Sequence, residues 1–166
     1  MPQAVDDRVK MREREGARSR NMRQLLLRAA RIVNRHVVEG LHARGYANLR
    51  STHTTLLSNM PLAGGTISET AGRAGVTKQA MGRLAAELEE AGYIRVAADP
   101  ADGRARMLEL TDAGTKLMLA SLDVMGDLER RYAGLIGRDR LAAVLDGLQA
   151  FNEAMADVGQ TPTLQP

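Results

Sequence analysis

Between Thr66 and Gly92 the sequence carries two helix-capping signals separated by a glycine, and this pattern constrains the fold more than any other. Thr66 is followed three residues later by Glu69, which is the spacing of a capping box at a helix start. Gly75 interrupts the helical pattern, and Thr77 is placed to cap a second helix that ends before Gly92. Two short helices joined by a tight turn are typical of a helix-turn-helix unit, whose second helix enters the DNA major groove.

A hairpin pattern follows the second of these helices. Residues 93–96 have the composition of a strand, and residues 106–110 can return beside them. The Asp-Pro and Asp-Gly pairs between the two segments both mark turns. The sequence therefore predicts a β-hairpin wing that carries Arg104 at its tip and Arg106 just behind it.

At these residues the sequence resembles the MarR family of bacterial transcriptional regulators. The similarity runs through four segments, Gly75–Met81, Leu88–Ile94, Asp102–Arg104 and Leu110–Gly114. The resemblance implies a mostly helical winged-helix fold and a homodimer formed by the first and last helices. It also implies binding to pseudo-palindromic operators on double-stranded DNA, often relieved by a small molecule.

Helical spacing of apolar residues predicts further helices on both sides of the helix-turn-helix unit. Their predicted ranges are 21–42, 49–60, 112–136 and 138–155. In the third of these helices, Leu122 and Leu135 are among the positions predicted to be buried. The predicted fold class is mostly α with a small β-hairpin wing, a winged helix-turn-helix with long terminal dimerisation helices.

The predicted domain organisation places a single MarR-like domain between two tails. The domain covers 19–157, with the winged helix-turn-helix at 61–110 and dimerisation helices at about 20–44 and 112–155, while 1–18 form a disordered basic tail and 158–166 a flexible tail. The terminal helices carry more apolar surface than a small winged-helix core can cover. Burial in a monomeric bundle is one interpretation. We favour a symmetric homodimer, because a two-fold operator requires two recognition helices.

Composition excludes several classes of site and leaves open the role of the basic amino-terminal segment. The 166 residues include no cysteine, so disulfides, thiol-based redox sensing and a cysteine-ligated zinc are excluded. No segment approaches the roughly 18 apolar residues of a membrane span, and a cytoplasmic, nucleoid-associated location is expected. Residues 1–35 hold ten basic residues against four acidic ones. This excess is either a solvated tail or an arm that tracks DNA phosphates.

The second helix of the helix-turn-helix unit presents candidate DNA contacts on its outward face. On a helix that turns about 100° per residue, Met81 and Leu88 fix the inward direction, so Gln79 and Arg83 point away from the core. An amide and a guanidinium are the groups that make bidentate contacts to adenine and guanine edges. An ordinary solvated helix face is the alternative. The predicted DNA-binding residues are Thr77, Lys78, Gln79, Gly82, Arg83, Arg104 and Arg106.

These candidates differ in their predicted roles. Thr77 can place helical N–H groups near a phosphate, and Gly82 permits close approach of the helix to DNA. Arg104 at the wing tip suits the negative potential of a minor groove, unless it only solubilises the tip. The resemblance implies that Asp102 helps to hold the wing. Arg106 is either a phosphate contact or a surface charge.

Other candidate sites are less specific. His53 and Tyr132 are predicted contacts for a small lipophilic or phenolic effector, with a packing role as the alternative for His53. A metal site formed by His36, Glu39 and His42 is disfavoured, because the two histidines do not share a helix face. The sequence contains no Gly-rich phosphate loop, nucleophile elbow or metal-ligand cluster, so neither an enzyme nor a cofactor is predicted. A winged helix that binds only protein is the alternative function.

Overall fold

The computed structural model describes residues 21–98 and 105–157. In chain order its elements are α1 (Met22–His42), α2 (His53–Leu57), β1 (Gly65–Thr66), α3 (Ile67–Ala74), α4 (Lys78–Glu90), β2 (Ile94–Ala98), β3 (Arg106–Leu110), α5 (Asp112–Ile136) and α6 (Arg138–Asp157). The strands form one antiparallel sheet with β3 between β1 and β2. The prediction of a mostly α fold with a small hairpin wing is confirmed. Both predicted tails lie outside the described residues.

The two caps of the helix-turn-helix unit form as predicted. Thr66 is extended, and its hydroxyl accepts a hydrogen bond from the backbone N–H of Glu69 at 3.1 Å. The Thr77 hydroxyl likewise accepts one from the N–H of Ala80 at 3.2 Å. Between these helices Gly75 has a φ of 65°, a left-handed conformation that favours glycine. Local capping chemistry therefore sets the start of both helices.

The sheet is larger than the predicted hairpin. β2 and β3 pair with Val96 opposite Leu108, and β2 extends two residues beyond the predicted strand. β1 adds a third strand, in which Gly65 lies opposite Leu108. The sequence did not predict β1, because a two-residue strand is too short to show alternation of apolar and polar residues.

The second predicted helix is shorter than expected. The pattern predicted a helix at 49–60, but α2 covers only His53–Leu57. Its neighbourhood is rich in hydroxyl side chains that bond to the local backbone; the Thr54 hydroxyl, for example, donates to the Ser51 carbonyl at 2.7 Å. Such bonds compete with a continuous helix, which is the physical reason that the prediction was wrong at both ends.

Contacts divide the chain into two compact units, one ending at Ser121 and the other beginning at Leu122, so the division falls within α5. The core of the first unit comes from helices α1 to α5 and the sheet. Its fully buried large side chains are Leu41, Leu56, Thr70, Met81, Leu88, Ile94, Leu108 and Leu117. Among the described helices, none has the length and apolar composition that crossing a bilayer requires.

In the second unit the apolar stripes are only partly covered. Val124 and Leu128 of α5 are buried, whereas Leu122 and Leu135 are 66% and 72% exposed. The prediction that these two leucines are buried is wrong for the single chain. Leu122 lies about 140° around the helix from the buried Leu117, so it was assigned to the wrong face. Leu135 is on the same side as Leu117, and spacing alone could not say whether that side is covered so far along the helix. The prediction of a single domain over 19–157 stays a prediction.

The start of α5 is in direct contact with the segment after α4. A Cβ atom on Gly114 would lie 1.9 Å from the carbonyl oxygen of Tyr93. The same carbonyl accepts the N–H of Thr111 at 3.1 Å, and the Thr111 hydroxyl donates to the Gly92 carbonyl at 2.6 Å. No side chain fits at position 114 unless these contacts separate.

We expect Gly114→Ala to lower the free energy of unfolding by about 1–3 kcal/mol or more, because the added methyl group must displace backbone atoms. Gly134→Ala is the matched control, since a Cβ there meets nothing within 4 Å on the same helix. The control should be unchanged or up to about 1 kcal/mol more stable through helix propensity. Urea unfolding of both variants measures the difference, and equal stabilities would contradict the close contact.

Candidate nucleic-acid interface

The outward face of α4 is polar and exposed. Lys78, Gln79 and Arg83 are all exposed, whereas Met81 and Leu88 are completely buried on the opposite side. The predicted orientation of Gln79 and Arg83 is therefore confirmed. The guanidinium of Arg83 and the amide of Gln79 share the outward face, and the Lys78 ammonium group lies on its flank. Such an arrangement can contact base edges and phosphates together.

The first turn of α4 is also accessible. Thr77 is exposed, and its hydroxyl satisfies only the Ala80 N–H. The N–H groups of the other first-turn residues have no partner within the helix, which makes this end suitable for an anion. Thr77 and Lys78 thus lie where a phosphate contact is chemically feasible.

Gly82 has no packing reason to be glycine. A Cβ at this position would meet no atom within 4 Å, and the residue lies within a helix where alanine is intrinsically more favourable by about 1 kcal/mol. The vacant space on the outward side of α4 accords with the predicted close approach of DNA, which stays a prediction.

Part of the wing lies outside the described residues. Arg104 and Asp102 fall in that gap, while Arg106 begins β3 and is exposed. At the base of the wing, Arg95 Nε donates to Glu109 Oε2 at 3.1 Å across the β2–β3 pair. This hydrogen bond, together with the charge of Glu109, raises the pKa of Arg95. The pair links β2 to β3 on one face of the hairpin. Removing it should cost little stability, because both groups are exposed to water.

The acidic end of α4 is used for internal contacts. Glu89 Oε1 accepts the backbone N–H of Val96 at 2.7 Å, which ties the helix to β2. Glu87 accepts hydrogen bonds from His53 and Arg50. The two bonds to Glu87 were not predicted from the sequence. Their donors lie 34 and 37 residues away, and no local pattern marks them.

His53 is buried at the centre of this arrangement. Its Nδ1 accepts the backbone N–H of Arg50 at 3.2 Å. A neutral imidazole carries one hydrogen, so Nε2 holds it and donates to Glu87 Oε2 at 3.0 Å. The hydrogen bond from His53 holds the pKa of Glu87 below the ordinary value of a glutamate, and the positive charges of Arg50 and Arg83 act in the same direction.

The predicted effector contacts remain predictions. Both ring nitrogens of His53 are engaged, which favours its alternative role in packing. Tyr132 is half-buried on α5, in the second compact unit. Among residues 21–98 and 105–157, no group of three histidine or acidic side chains could hold a metal ion. In the disfavoured metal site, His42 Nε2 instead lies 2.8 Å from the Leu49 carbonyl oxygen.

A family model matches the part of this chain that contains α3, α4 and β2. The MarR-family model aligns with residues 64–105, from just before β1 to the start of β3. Over these residues the chain is similar to the MarR family of transcriptional regulators. The match supports a DNA-binding transcriptional regulator.

Solved structures extend the likeness beyond the winged helix. The MarR crystal structure is 23% identical, with a TM-score of 0.71 over 83% of this chain and 92% of that one. A MarR-family transcriptional regulator from Rhodococcus sp. RHA1 is 24% identical, with a TM-score of 0.63 over 77% and 89%. The transcriptional repressor CouR, bound to a 23-mer DNA duplex, is 24% identical, with a TM-score of 0.62 over 82% and 96%. At these identities the likeness establishes the MarR fold. Comparison with curated protein sequences gives no match.

Proposed function

We propose that this protein is a repressor that binds a pseudo-palindromic operator as a homodimer and is released by a small lipophilic effector. The observation that carries the proposal is the exposure of Lys78, Gln79 and Arg83 on a helix whose buried side packs into the core of a winged helix similar to that of the MarR family. Such a helix can enter a major groove without disturbing the fold. The protein would act in the cytoplasm, at the nucleoid.

The proposed contacts divide by what they recognise. Gln79 and Arg83 read base edges, and Gly82 lets the helix approach them closely. Thr77, Lys78 and Arg106 bind phosphates, which position the helix without reading sequence. Arg104 enters the flanking minor groove from a wing supported by Asp102.

Replacing a base-reading residue should cost both affinity and selectivity. We expect Gln79→Ala or Arg83→Ala to weaken binding to the best operator by about 1–3 kcal/mol and to relax base preference. Arg104→Ala should weaken binding and reduce its salt dependence. Fluorescence anisotropy on operator and random-sequence duplexes, at several salt concentrations, measures these effects.

Arg138→Ala is the charge-matched control, because Arg138 is exposed and lies outside the winged helix. It should bind like the parent protein. If neither the parent nor any variant shifts DNA in a salt-sensitive way, the winged helix binds protein instead, and the proposal is wrong.

Homodimer formation is supported by the uncovered apolar face of α6. Val144, Leu145, Leu148, Phe151 and Met155 are all exposed in the single chain, by 38% to 50%. They recur at helical spacing, so they form one stripe rather than scattered surface residues. At its amino-terminal end α1 exposes Met22 and Leu25 as well. Two-fold pairing of such stripes would place two copies of α4 on one duplex.

A charge in this stripe should therefore abolish dimerisation and operator binding together. We expect Leu148→Asp to be monomeric by analytical ultracentrifugation and to lose specific binding. Ala150→Asp adds the same carboxylate about 200° around the helix and should stay dimeric. For the parent, footprinting should show half-sites about 34–36 Å apart. A stable monomer that binds an asymmetric site with full affinity would contradict the homodimer.

Regulation by a reversible ligand is supported by the lack of cysteine, which removes thiol oxidation as a trigger. A ligand acts only through its different affinities for the DNA-fitting and non-fitting forms. Tyr132 is a candidate polar contact, and His53 could serve only by giving up a present hydrogen bond.

We expect a phenolic or other lipophilic acid, titrated against the operator-bound protein, to release it in a saturable way. Tyr132→Phe should shift the midpoint of that titration. A parallel titration with peroxide is the control. Release by peroxide with no response to any ligand would point to methionine oxidation and would overturn this part of the proposal.

A further inference from the structure

The carboxylate of Glu87 on α4 is held by Arg50, which precedes α2, and by His53, the first residue of α2. His53, whose side chain is 4% exposed, donates from Nε2 at 3.0 Å, and the guanidinium of Arg50 binds the same oxygen. The ring is itself fixed, because the Arg50 backbone N–H bonds to Nδ1. Because the imidazole is buried and bonded at both nitrogens, its orientation is fixed. The Glu87 side chain that bonds to it is therefore held in one orientation as well. We call these three residues the Arg50–His53–Glu87 cluster.

The same carboxylate has a second possible partner on its own helix. Arg83 lies four residues before Glu87, and side chains at that spacing are neighbours on a helix surface. The two are close enough for the charge of Arg83 to lower the pKa of Glu87. Even so, no ion pair within 4.0 Å joins them among the described residues, while Arg50 and His53 both meet that criterion.

We infer that Arg50 and His53 hold Glu87 away from Arg83, so that the Arg83 guanidinium stays available to DNA. This inference rests on the proposed function, in which Arg83 reads a base. Arg50 and His53 are then positioning residues for specificity, although neither belongs to the recognition helix. Without them, Glu87 can turn along α4 and pair with Arg83, and DNA must break that pair before Arg83 can reach a guanine.

The test uses operator affinity relative to random-sequence DNA, measured by fluorescence anisotropy on folded protein. We expect Arg50→Ala and His53→Ala each to reduce specific binding by roughly three- to tenfold, a fraction of the loss from removing a bidentate contact. His53→Gln should keep most of the affinity, because its amide can still donate to Glu87. The Arg50 side chain is 60% exposed, so we expect Arg50→Ala to fold. It keeps the test valid even if His53→Ala unfolds the protein.

The decisive measurement is suppression by Glu87→Gln. An amide cannot neutralise Arg83, so adding Glu87→Gln to Arg50→Ala should restore specific binding. Glu90→Gln is the charge-matched control. Glu90 is three residues away and lines the same open pocket of about 380 Å³. Among the described residues, its side chain has no hydrogen bond or ion pair. Arg50→Ala with Glu90→Gln should stay weak.

Three results would overturn the inference. Equal restoration by Glu87→Gln and Glu90→Gln would mean that only net charge matters. Loss of specific binding in Glu87→Gln alone would mean that the cluster merely anchors α4. An Arg50→Ala effect that persists in an Arg83→Ala background would show that Arg83 is not involved. Each of these can occur while the parent binds its operator specifically, whereas absence of specific binding by the parent refutes the proposed function itself.

Discussion

The burial of one side of α4 is the constraint on which the rest of the winged helix depends. Met81, Ala85 and Leu88 are at most 1% exposed, and α3, α2 and β2 all contact this helix. Each large side chain of this kind contributes about 1.5–3 kcal/mol when it leaves water. Because that stripe fixes the rotation of the helix, the exposure of Lys78 and Arg83 follows from it. The surface proposed to face DNA is therefore the side of α4 that stays exposed once the opposite side is packed.

Local sequence patterns predicted much of the fold because the interactions behind them are local. A cap needs a hydroxyl three residues before an N–H, and an apolar stripe needs only regular spacing, so α4 and α5 were located to within a residue. The glycines at 75 and 92 adopt positive φ at the predicted helix ends. The outward direction of Gln79 and Arg83 follows from the same spacing.

What the sequence did not reveal depends on partners that are distant in the chain. The bonds from His53 and Arg50 to Glu87 become visible only when α2 and α4 are packed together. For that reason the sequence alone gives no sign that Glu87 and Glu89 are engaged in internal hydrogen bonds. The stripes of α5 and α6 pose the same difficulty at a larger scale, since spacing alone cannot tell intrachain burial from a surface shared with a second molecule.

The hydrogen bond between Glu89 and Val96 bears on how the protein avoids aggregation. β2 is an outer strand of the sheet, and its backbone groups could pair with a strand from another molecule. The Glu89 carboxylate occupies the Val96 N–H and places a negative charge beside that edge. An approaching chain would have to displace a charged acceptor before it could extend the sheet. The bond that ties α4 to β2 therefore also makes extension of the sheet at this edge less favourable.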